Sequence, residues 1–367
     1  TLFRSNNFLN FKQMILKNII LFKSINFFIY LILFTSFICK NRSNLNIISN
    51  LNNNKNNKKN LIIGLAIGYS WKKIKNFFIS LIKAEFQNCD YVMFVRGLSR
   101  NTLKKIKSFG VKIYQIQRVS KISPVNYRWE LYKDFLELNK DKYNLVFTAD
   151  TRDTIFQKDI FQFYENYKKP FLGINLEEIL LSNEINKEWM LLFCNETEFN
   201  NKLANKNVIC GGTLIGTVDK FIELFYALWD MIKDIKNIEK VAGQGVFNYI
   251  IYYKKLFNDS IIIKDNKDFI TRRNKINLDN NNNILNYNGE IAAIVHQYDR
   301  HKDLVEKFDK KYGDKNFNYN HFMESDKSEN NKINFFIHNN LVNTKDILFF
   351  IFILIDIILL SIKKYKK

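Results

Sequence analysis

Two aspartates directly follow an apolar strand. The run Tyr143–Thr148 leads into Ala149-Asp-Thr-Arg-Asp, which places Asp150 and Asp153 three residues apart. Carboxylates at this spacing in a tight turn can face one hard cation, and Mg²⁺ or Mn²⁺ prefers such oxygen ligands together with phosphate oxygens. The alternative is a solvated acidic turn that caps the next element. The position directly after a buried strand favours the metal site.

A further metal-ligating side chain stands late in the chain. The segment 291–301 reads IAAIVHQYDRH, in which a short apolar strand ends at His296. Neutral imidazole is a common transition-metal ligand and suits Mn²⁺. The alternative is a structural histidine in the core. The acidic pair upstream favours a ligand that completes the same site.

Two glycine-containing segments allow close approach of a ligand. VICGGTLIG (208–216) places Gly211 and Gly212 ahead of a helix predicted over 218–232. AGQGVFN (242–248) places Gln244 at the start of a helix predicted over 246–253. Glycine lets a backbone come close to a ligand, and the Gln244 amide can hydrogen-bond sugar hydroxyls. A tight turn and a helix cap are the respective structural alternatives.

Three arginines near these segments are candidates for binding a phosphate or a nucleotide. Arg152 lies between the two aspartates and Arg300 follows His296 closely. A guanidinium can bind phosphate through two parallel hydrogen bonds. Arg128, in NYRWELYKDFL, is a candidate for contacting a nucleotide, although a surface or packing role is favoured there.

The elements that must position these residues alternate along the chain. Apolar strands are predicted at 61–68, 91–95, 111–114 and 143–148, and helices at 72–85, 101–109 and 127–138. This alternation predicts an α/β fold with parallel strands. Ligands of such sheets bind beyond the carboxyl ends of the strands. The aspartate pair stands at that edge.

Composition bounds the class of protein. Hydrophobic residues make up 47% of the 367 residues, which excludes a wholly disordered chain. Lys and Arg exceed Asp and Glu by 56 to 36, a net charge of +20. The lysines are spread through a chain rich in Asn and Ile, whereas a nucleic-acid-binding module clusters its cations on one face among aromatic residues. We therefore expect no nucleic-acid partner.

Both ends of the chain are apolar and carry basic flanks. Residues 19–39 form a segment about 31 Å long as a helix, which matches a bilayer core, and the lysines before it predict a cytosolic N-terminus. A shorter apolar run, 347–362, contains Asp356 and ends in KKYKK. A signal anchor and a second possible transmembrane segment are predicted, with a buried core helix as the alternative for the first.

Five regions follow from these patterns. We expect a cytosolic tail and signal anchor over 1–40, an Asn/Lys-rich stem over 41–60, a catalytic domain over 61–310, a polar linker over 311–345 and a C-terminal apolar segment over 346–367. Sequons at Asn41, Asn195 and Asn258 permit a lumenal domain. Cys194 and Cys210 either pair in that oxidising compartment or remain thiols.

Four segments together resemble a known family. YNLVFTADTRDTIFQKDIF, NVICGGTLIGTVDKF, AGQGVFNYII and IVHQYDRH resemble a eukaryotic, membrane-anchored family of nucleotide-diphospho-sugar glycosyltransferases with the GT-A fold, over about 61–308. The resemblance implies a Rossmann-like α/β fold with a mixed, mainly parallel sheet flanked by helices. It also implies a sugar-nucleotide donor, a Mn²⁺ or Mg²⁺ ion and terminal transmembrane anchoring.

The resemblance also implies roles for individual residues. Asp150 and Asp153 stand at the metal motif, which is commonly D-x-D in the family and is D-x-x-D here. His296 matches a late metal or diphosphate ligand, and the glycine pair 211–212 matches the segment beside the donor sugar. Many relatives carry Asp where this chain has Gly243, which leaves Gln244 as the residue expected to contact the sugar.

The predicted function is therefore transfer of a sugar from a nucleotide-diphosphate donor to a hydroxyl of a glycan, protein or lipid. The domain is expected in the lumen of the endoplasmic reticulum or Golgi. Two alternatives stay open: a nucleotidyltransferase of related fold, and a catalytically inactive lumenal protein that binds glycans. A glycine-rich phosphate loop near residue 65 would favour the first, and the chain has Gly64 and Gly68 there without a basic signature.

Overall fold

The computed structural model of the protein describes residues 58–116, 123–233, 243–264, 269–270 and 276–313. All described elements belong to the compact unit that begins at Lys59. The predicted signal anchor and the C-terminal apolar segment lie outside the described residues, as does most of the predicted stem and linker. Among the helices that are described, none has the length and apolar character needed to cross a membrane.

The first half of this unit alternates strands and helices as the sequence predicts. In chain order the elements are β1 (Lys59–Ile67), α1 (Trp71–Lys83), β2 (Cys89–Arg96), α2 (Arg100–Ser108), β3 (Lys112–Gln115), α3 (Pro124–Asn139) and β4 (Tyr143–Asp150). Each predicted element is present, and no end is shifted by more than three residues.

The second half contains shorter elements. They are β5 (Thr154–Phe156), β6 (Leu172–Leu180), α4 (Glu184–Met190), α5 (Glu196–Lys202), β7 (Asn207–Ile209), β8 (Thr213–Thr217), α6 (Val218–Ile232), α7 (Gly243–Asn248), β9 (Ile261–Lys264), β10 (Phe269–Ile270), β11 (Asn277–Leu278), β12 (Ile284–Leu285), β13 (Ile294–His296) and α8 (Lys302–Lys311). A π-helix, Tyr249–Tyr253, extends α7, and a short 3₁₀ turn, Tyr298–Arg300, follows β13.

The main sheet is mixed. Its strand order is β3-β2-β1-β4-β8-β6-β7, with β9 paired to β6. β1 runs parallel to β2 and β4, and β2 runs parallel to β3, as the alternation predicts. β8 is antiparallel to both β4 and β6. The prediction of a mixed α/β sheet flanked by helices is confirmed.

Two apolar layers cover the two faces of this sheet. Along β1, Ile62 packs into the cluster that contains Phe77 of α1, whereas Leu61 and Ile63 pack into the cluster that contains Trp129 of α3. Successive side chains of a strand point to opposite faces. Burial on both faces explains why β1 and β4 are continuous apolar runs instead of alternating ones.

The helix predicted over 246–253 begins earlier and changes type. It starts at Gly243, and its continuation is a π-helix in which the Lys254 N–H donates to Tyr249 O at 3.1 Å. A Cβ at Gly245 would lie 2.6 Å from Trp189 O, so glycine lets α7 approach the backbone of α4.

Cys194 and Cys210 are not joined in a disulfide. The Cys194 thiol donates to Met190 O at 3.4 Å, and the Cys210 sulfur lies 3.2 Å from His296 Nδ1. Of the two alternatives for this pair, the structure therefore has two thiols and no disulfide between them.

Candidate metal-binding site

Strand pairing brings the late histidine to the aspartate turn. β5 begins directly after Asp153, and β13 pairs with it in antiparallel register, with His296 opposite Thr154. The backbone N–H of Gln297 donates to Asp153 O at 2.8 Å. Because the ladder fixes both backbones, the imidazole of His296 stands beside the carboxylate of Asp153.

β8 closes the site on the other side. Ala149 of β4 pairs with Thr213, and the Asp150 N–H donates to Gly212 O at 2.8 Å. A Cβ added at Gly212 would lie 2.3 Å from His296 Cε1 and 2.6 Å from Asp150 Oδ2. The space between the histidine and the aspartate therefore exists only because residue 212 is glycine.

Three ligand atoms converge in that space. His296 Nε2 lies 3.7 Å from Asp150 Oδ2 and 3.5 Å from Asp153 Oδ1. One ligand atom from each of the three residues falls within 4.8 Å of the others. Ligands at right angles around a Mg²⁺-sized ion are about 3.0 Å apart, so the arrangement needs only a small contraction. Two carboxylates and an imidazole are the donor set that suits Mn²⁺.

One oxygen of each carboxylate forms an ion pair with an arginine. Arg128 Nη1 lies 2.5 Å from Asp150 Oδ1, and Arg152 Nη2 lies 2.7 Å from Asp153 Oδ2. The oxygens that face His296 are the opposite ones, Oδ2 of Asp150 and Oδ1 of Asp153. The two arginines therefore fix the rotation of the carboxylates and present one oxygen of each to the shared space.

The three side chains differ in solvent exposure, so the site is open to solvent on one side. The side chains of His296 and Asp153 are 2% and 6% exposed, whereas that of Asp150 is 39% exposed. A ligand from solvent can therefore reach the shared space on the Asp150 side. Gly211 and Gly212 are buried in the loop between β7 and β8, and Gly212 lies against Asp150 and His296.

The charges around the site keep both of its carboxylates ionised. Burial by itself raises the pKa of Asp150, but the charge of Arg128 and the contact with His296 outweigh it, so the pKa lies below its ordinary value. Burial also raises the pKa of Asp153, and His296 and Arg152 together hold it well below its ordinary range. Both carboxylates are therefore ionised at neutral pH, as metal ligands must be.

His296 carries the opposite shift. Burial by itself lowers its pKa, but the neighbouring Cys210 and the Asp153 carboxylate raise it well above the ordinary value. A proton on Nε2 and a metal ion compete for the same two carboxylates. Metal binding at this position therefore releases a proton.

Arg128 is buried, so of the surface and packing roles favoured from the sequence the structure shows the packing one, together with a contact to the aspartate turn. It is 9% exposed, and besides its contact with Asp150 its Nη2 donates to Gly211 O at 3.2 Å. Its guanidinium stacks on the ring of Trp129 at 4.1 Å. Arg128 thus connects Asp150 to Gly211 through its two contacts. The sequence signal for a buried arginine was its position inside an aromatic-rich helix.

The other two arginines are engaged by carboxylates. Arg152 lies 2.7 Å from Asp153 Oδ2 and 3.3 Å from Asp299 Oδ2. Arg300 has a 51% exposed side chain and stands 3.8 Å from Asp299 Oδ1. The structure thus places Arg152 at the site, whereas Arg300 lies on the surface beside Asp299.

Gln244 contacts the backbone of Gly211 and a second residue that the sequence did not reveal. Its Oε1 accepts from the Gly211 N–H at 3.4 Å, and its Nε2 is 3.5 Å from Glu177 Oε1. Glu177 is 2% exposed and also accepts from Gln297 Nε2 at 3.3 Å. The available signal was an acidic residue inside the strand run that forms β6, two positions after its buried stretch 172–175.

Gly243 is accommodated by the packing of α3. A Cβ at this position would lie 3.0 Å from Asn126 Oδ1 and 3.2 Å from Trp129 Nε1. The aspartate that many members of the resembled family carry here would need those groups to move. In this chain Glu177 is the buried carboxylate in contact with Gln244.

No protein-family model and no curated protein matches this chain. Similar solved structures include galactosyltransferase LgtC in complex with donor and acceptor sugar analogues, at 11% identity, a TM-score of 0.39 and coverage of 69% of this chain and 95% of that one. An active-site mutant of LgtC is similar at 10% identity, a TM-score of 0.39 and coverage of 68% and 94%. TM-scores this low assign neither a fold nor an activity to this chain.

Proposed function

We propose that this protein is a metal-dependent glycosyltransferase that moves a sugar from a nucleotide-diphosphate donor to a hydroxyl acceptor. The observation that carries the proposal is the convergence of Asp150, Asp153 and His296 at the carboxyl end of β4. All four sequence segments that resemble the glycosyltransferase family contribute residues around this point. Ligands of α/β sheets bind at this edge.

In this proposal the three side chains hold a Mn²⁺ or Mg²⁺ ion, and that ion binds the donor diphosphate. When bound, the cation supplies electrostatic stabilisation of the charge that develops on the departing diphosphate. Each of the three residues presents one ligand atom, which leaves coordination positions for phosphate oxygens. The exposed side of Asp150 is where the diphosphate enters.

The residues beyond the triad bind the sugar. The glycine pair 211–212 lets the donor approach the backbone of the β7–β8 loop. Gln244 and Glu177 form a hydrogen-bonded pair next to it, which can accept from and donate to sugar hydroxyls. The acceptor oxygen forms a bond to the anomeric carbon, the bond to the diphosphate oxygen breaks, and the acceptor hydroxyl releases its proton.

A specific observation disfavours the nucleotidyltransferase. A glycine-rich phosphate loop would follow β1, but Gly64 lies inside β1, where an added Cβ would meet Met93 at 3.0 Å and Ala149 O at 3.1 Å. Gly64 therefore serves the packing of neighbouring strands. Gly68 alone forms the turn after β1, at a φ of +65°.

Membrane anchoring through 1–40 and 346–367, with the domain in the secretory lumen, is part of the proposal. It rests on the sequence of the two ends. Asn195 and Asn258, which belong to two of the three sequons, are exposed. Asn195 caps α5 through Oδ1, which leaves the amide nitrogen that carries a glycan. Expression in eukaryotic cells should therefore give a chain whose mobility increases on treatment with an N-glycanase, and an unglycosylated chain would contradict the lumenal placement.

The activity is tested on the purified full chain. A panel of sugar nucleotides is incubated with the chain and Mn²⁺, and release of the nucleoside diphosphate is measured. The proposal predicts metal-dependent release from one donor and loss of it in Asp153→Asn. Sugar-nucleotide binding without any release or transfer would favour the inactive glycan-binding alternative.

A further inference from the structure

A buried thiol lies beside the ring nitrogen of His296 that faces away from the two aspartates. Cys210 follows β7 and is 0% exposed, and its Sγ lies 3.2 Å from His296 Nδ1. The backbone fixes this position, because the Cys210 N–H donates to Asn175 O of β6 at 2.9 Å. The thiol thus stands on the side of the imidazole ring opposite the two aspartates.

The ring of His296 has one orientation in this setting. Nε2 faces Asp150 and Asp153. Cε1 packs so closely against Gly212 that a Cβ added at residue 212 would lie 2.3 Å from it. A metal ion on Nε2 requires a lone pair there, so the ring proton must reside on Nδ1. A proton on Nδ1 points at the sulfur of Cys210.

We propose that Cys210 is a positioning residue, which accepts the Nδ1–H hydrogen bond of His296 and so holds Nε2 as a metal ligand. This inference rests on the proposed metal site and adds a residue with no metal contact of its own. Metal-bound histidines commonly donate their other N–H to a carboxylate or a carbonyl, and that partner sets the tautomer and the ring orientation. Here a thiol takes this place, and a thiol both donates and accepts.

Binding of Mn²⁺ to the full chain, measured by electron paramagnetic resonance, tests the inference. Cys210→Ala removes the acceptor, Cys210→Ser keeps a hydroxyl that can accept, and Cys194→Ala is the matched control, because that thiol donates to Met190 O away from the histidine. We expect Cys210→Ala to weaken Mn²⁺ binding by about tenfold or more. Serine should restore most of the affinity, and Cys194→Ala should bind as the wild type does.

The same question is answered without a substitution by the nitrogen chemical shifts of His296 in the wild-type chain loaded with Mg²⁺. The inference predicts a proton on Nδ1 and none on Nε2. It is overturned if Nδ1 carries no proton, if Cys210→Ala binds Mn²⁺ as tightly as the wild type, or if serine binds as weakly as alanine. Thiol-dependent Mn²⁺ binding in a chain that turns over no sugar nucleotide would uphold the inference and contradict the transferase.

Discussion

His296 Nε2 lies 3.5 Å from Asp153 Oδ1, and the backbone ladder between β13 and β5 sets this distance. The two residues come from distant parts of the chain, yet each is anchored by a strand end and not by a long loop. A site built on strand ends keeps its geometry when substrate binds. Substitutions in the triad should therefore change binding and catalysis without unfolding the protein.

The first prediction concerns Asp153. Asp153→Asn keeps the shape of the side chain but removes the charge and the anionic ligand, so transfer should fall by about a hundredfold or more. Turnover of the preferred sugar nucleotide at saturating Mn²⁺ measures the loss. Asp303→Asn, at an aspartate whose side chain is 68% exposed, should leave turnover unchanged. Equal turnover by both variants would remove the metal role of Asp153.

The second prediction uses two adjacent glycines. Gly212→Ala places a methyl group 2.6 Å from Asp150 Oδ2, within the shared space, whereas at Gly211 the nearest atom to a Cβ is 3.8 Å away. Gly212→Ala should abolish Mn²⁺ binding, and Gly211→Ala should retain it within about threefold. Calorimetric titration with Mn²⁺ distinguishes them. The account is wrong if the two variants bind Mn²⁺ equally well.

The third prediction compares two arginines. Arg128→Lys cannot contact both Asp150 and Gly211 O, because an ammonium lacks the planar fork of a guanidinium. Donor affinity at fixed Mn²⁺ should weaken by about tenfold. Arg300→Lys, at the exposed position beside Asp299, should change it by less than about twofold. A larger effect at Arg300 would restore the phosphate-binding role that the sequence suggested.

The fourth prediction concerns a buried aspartate near the start of β2, at the end of the sheet opposite the candidate site. Asp90 is 7% exposed and accepts from Lys59 at 2.9 Å, Lys112 at 2.8 Å and the Tyr143 hydroxyl at 3.0 Å. Asp90→Asn should lower the free energy of unfolding by about 2 kcal/mol, since hydrogen bonds to a charged group are lost. Denaturant unfolding measures this, and sugar transfer should be unaffected.

The sign of the pH dependence at Asp90 follows from its pKa. Burial raises the pKa, but the hydrogen bonds from Lys112 and Lys59 outweigh it and hold the pKa far below the ordinary value. The stabilisation is therefore present above about pH 4 and is lost as the pH falls below it. The stability of Asp90→Asn should fall less steeply in that range. Matching acid profiles of variant and wild type would show that Asp90 contributes nothing.

The sequence predicts the strands and helices of the first half because their apolar periodicity is regular. It also indicates the aspartate turn, since both residues follow β4 directly. The sequence does not predict the contacts of Cys210 and Glu177, because these depend on how β6, β7 and β13 pack together. Strands as short as β7 and β13 also carry little periodic signal. Arg300 was placed at the site by proximity in sequence, but the 3₁₀ turn after β13 leaves its side chain on the surface.

The central claim is that Asp150, Asp153 and His296 hold a cation that binds the donor diphosphate. The most direct measurement is the melting temperature of the full chain with nucleoside diphosphates, with and without Mn²⁺, because a ligand that binds the folded state raises it. The account predicts a rise that requires both diphosphate and Mn²⁺ in the wild type and is lost in Asp153→Asn. A diphosphate-induced rise that is the same without Mn²⁺, or that persists in this variant, would contradict it.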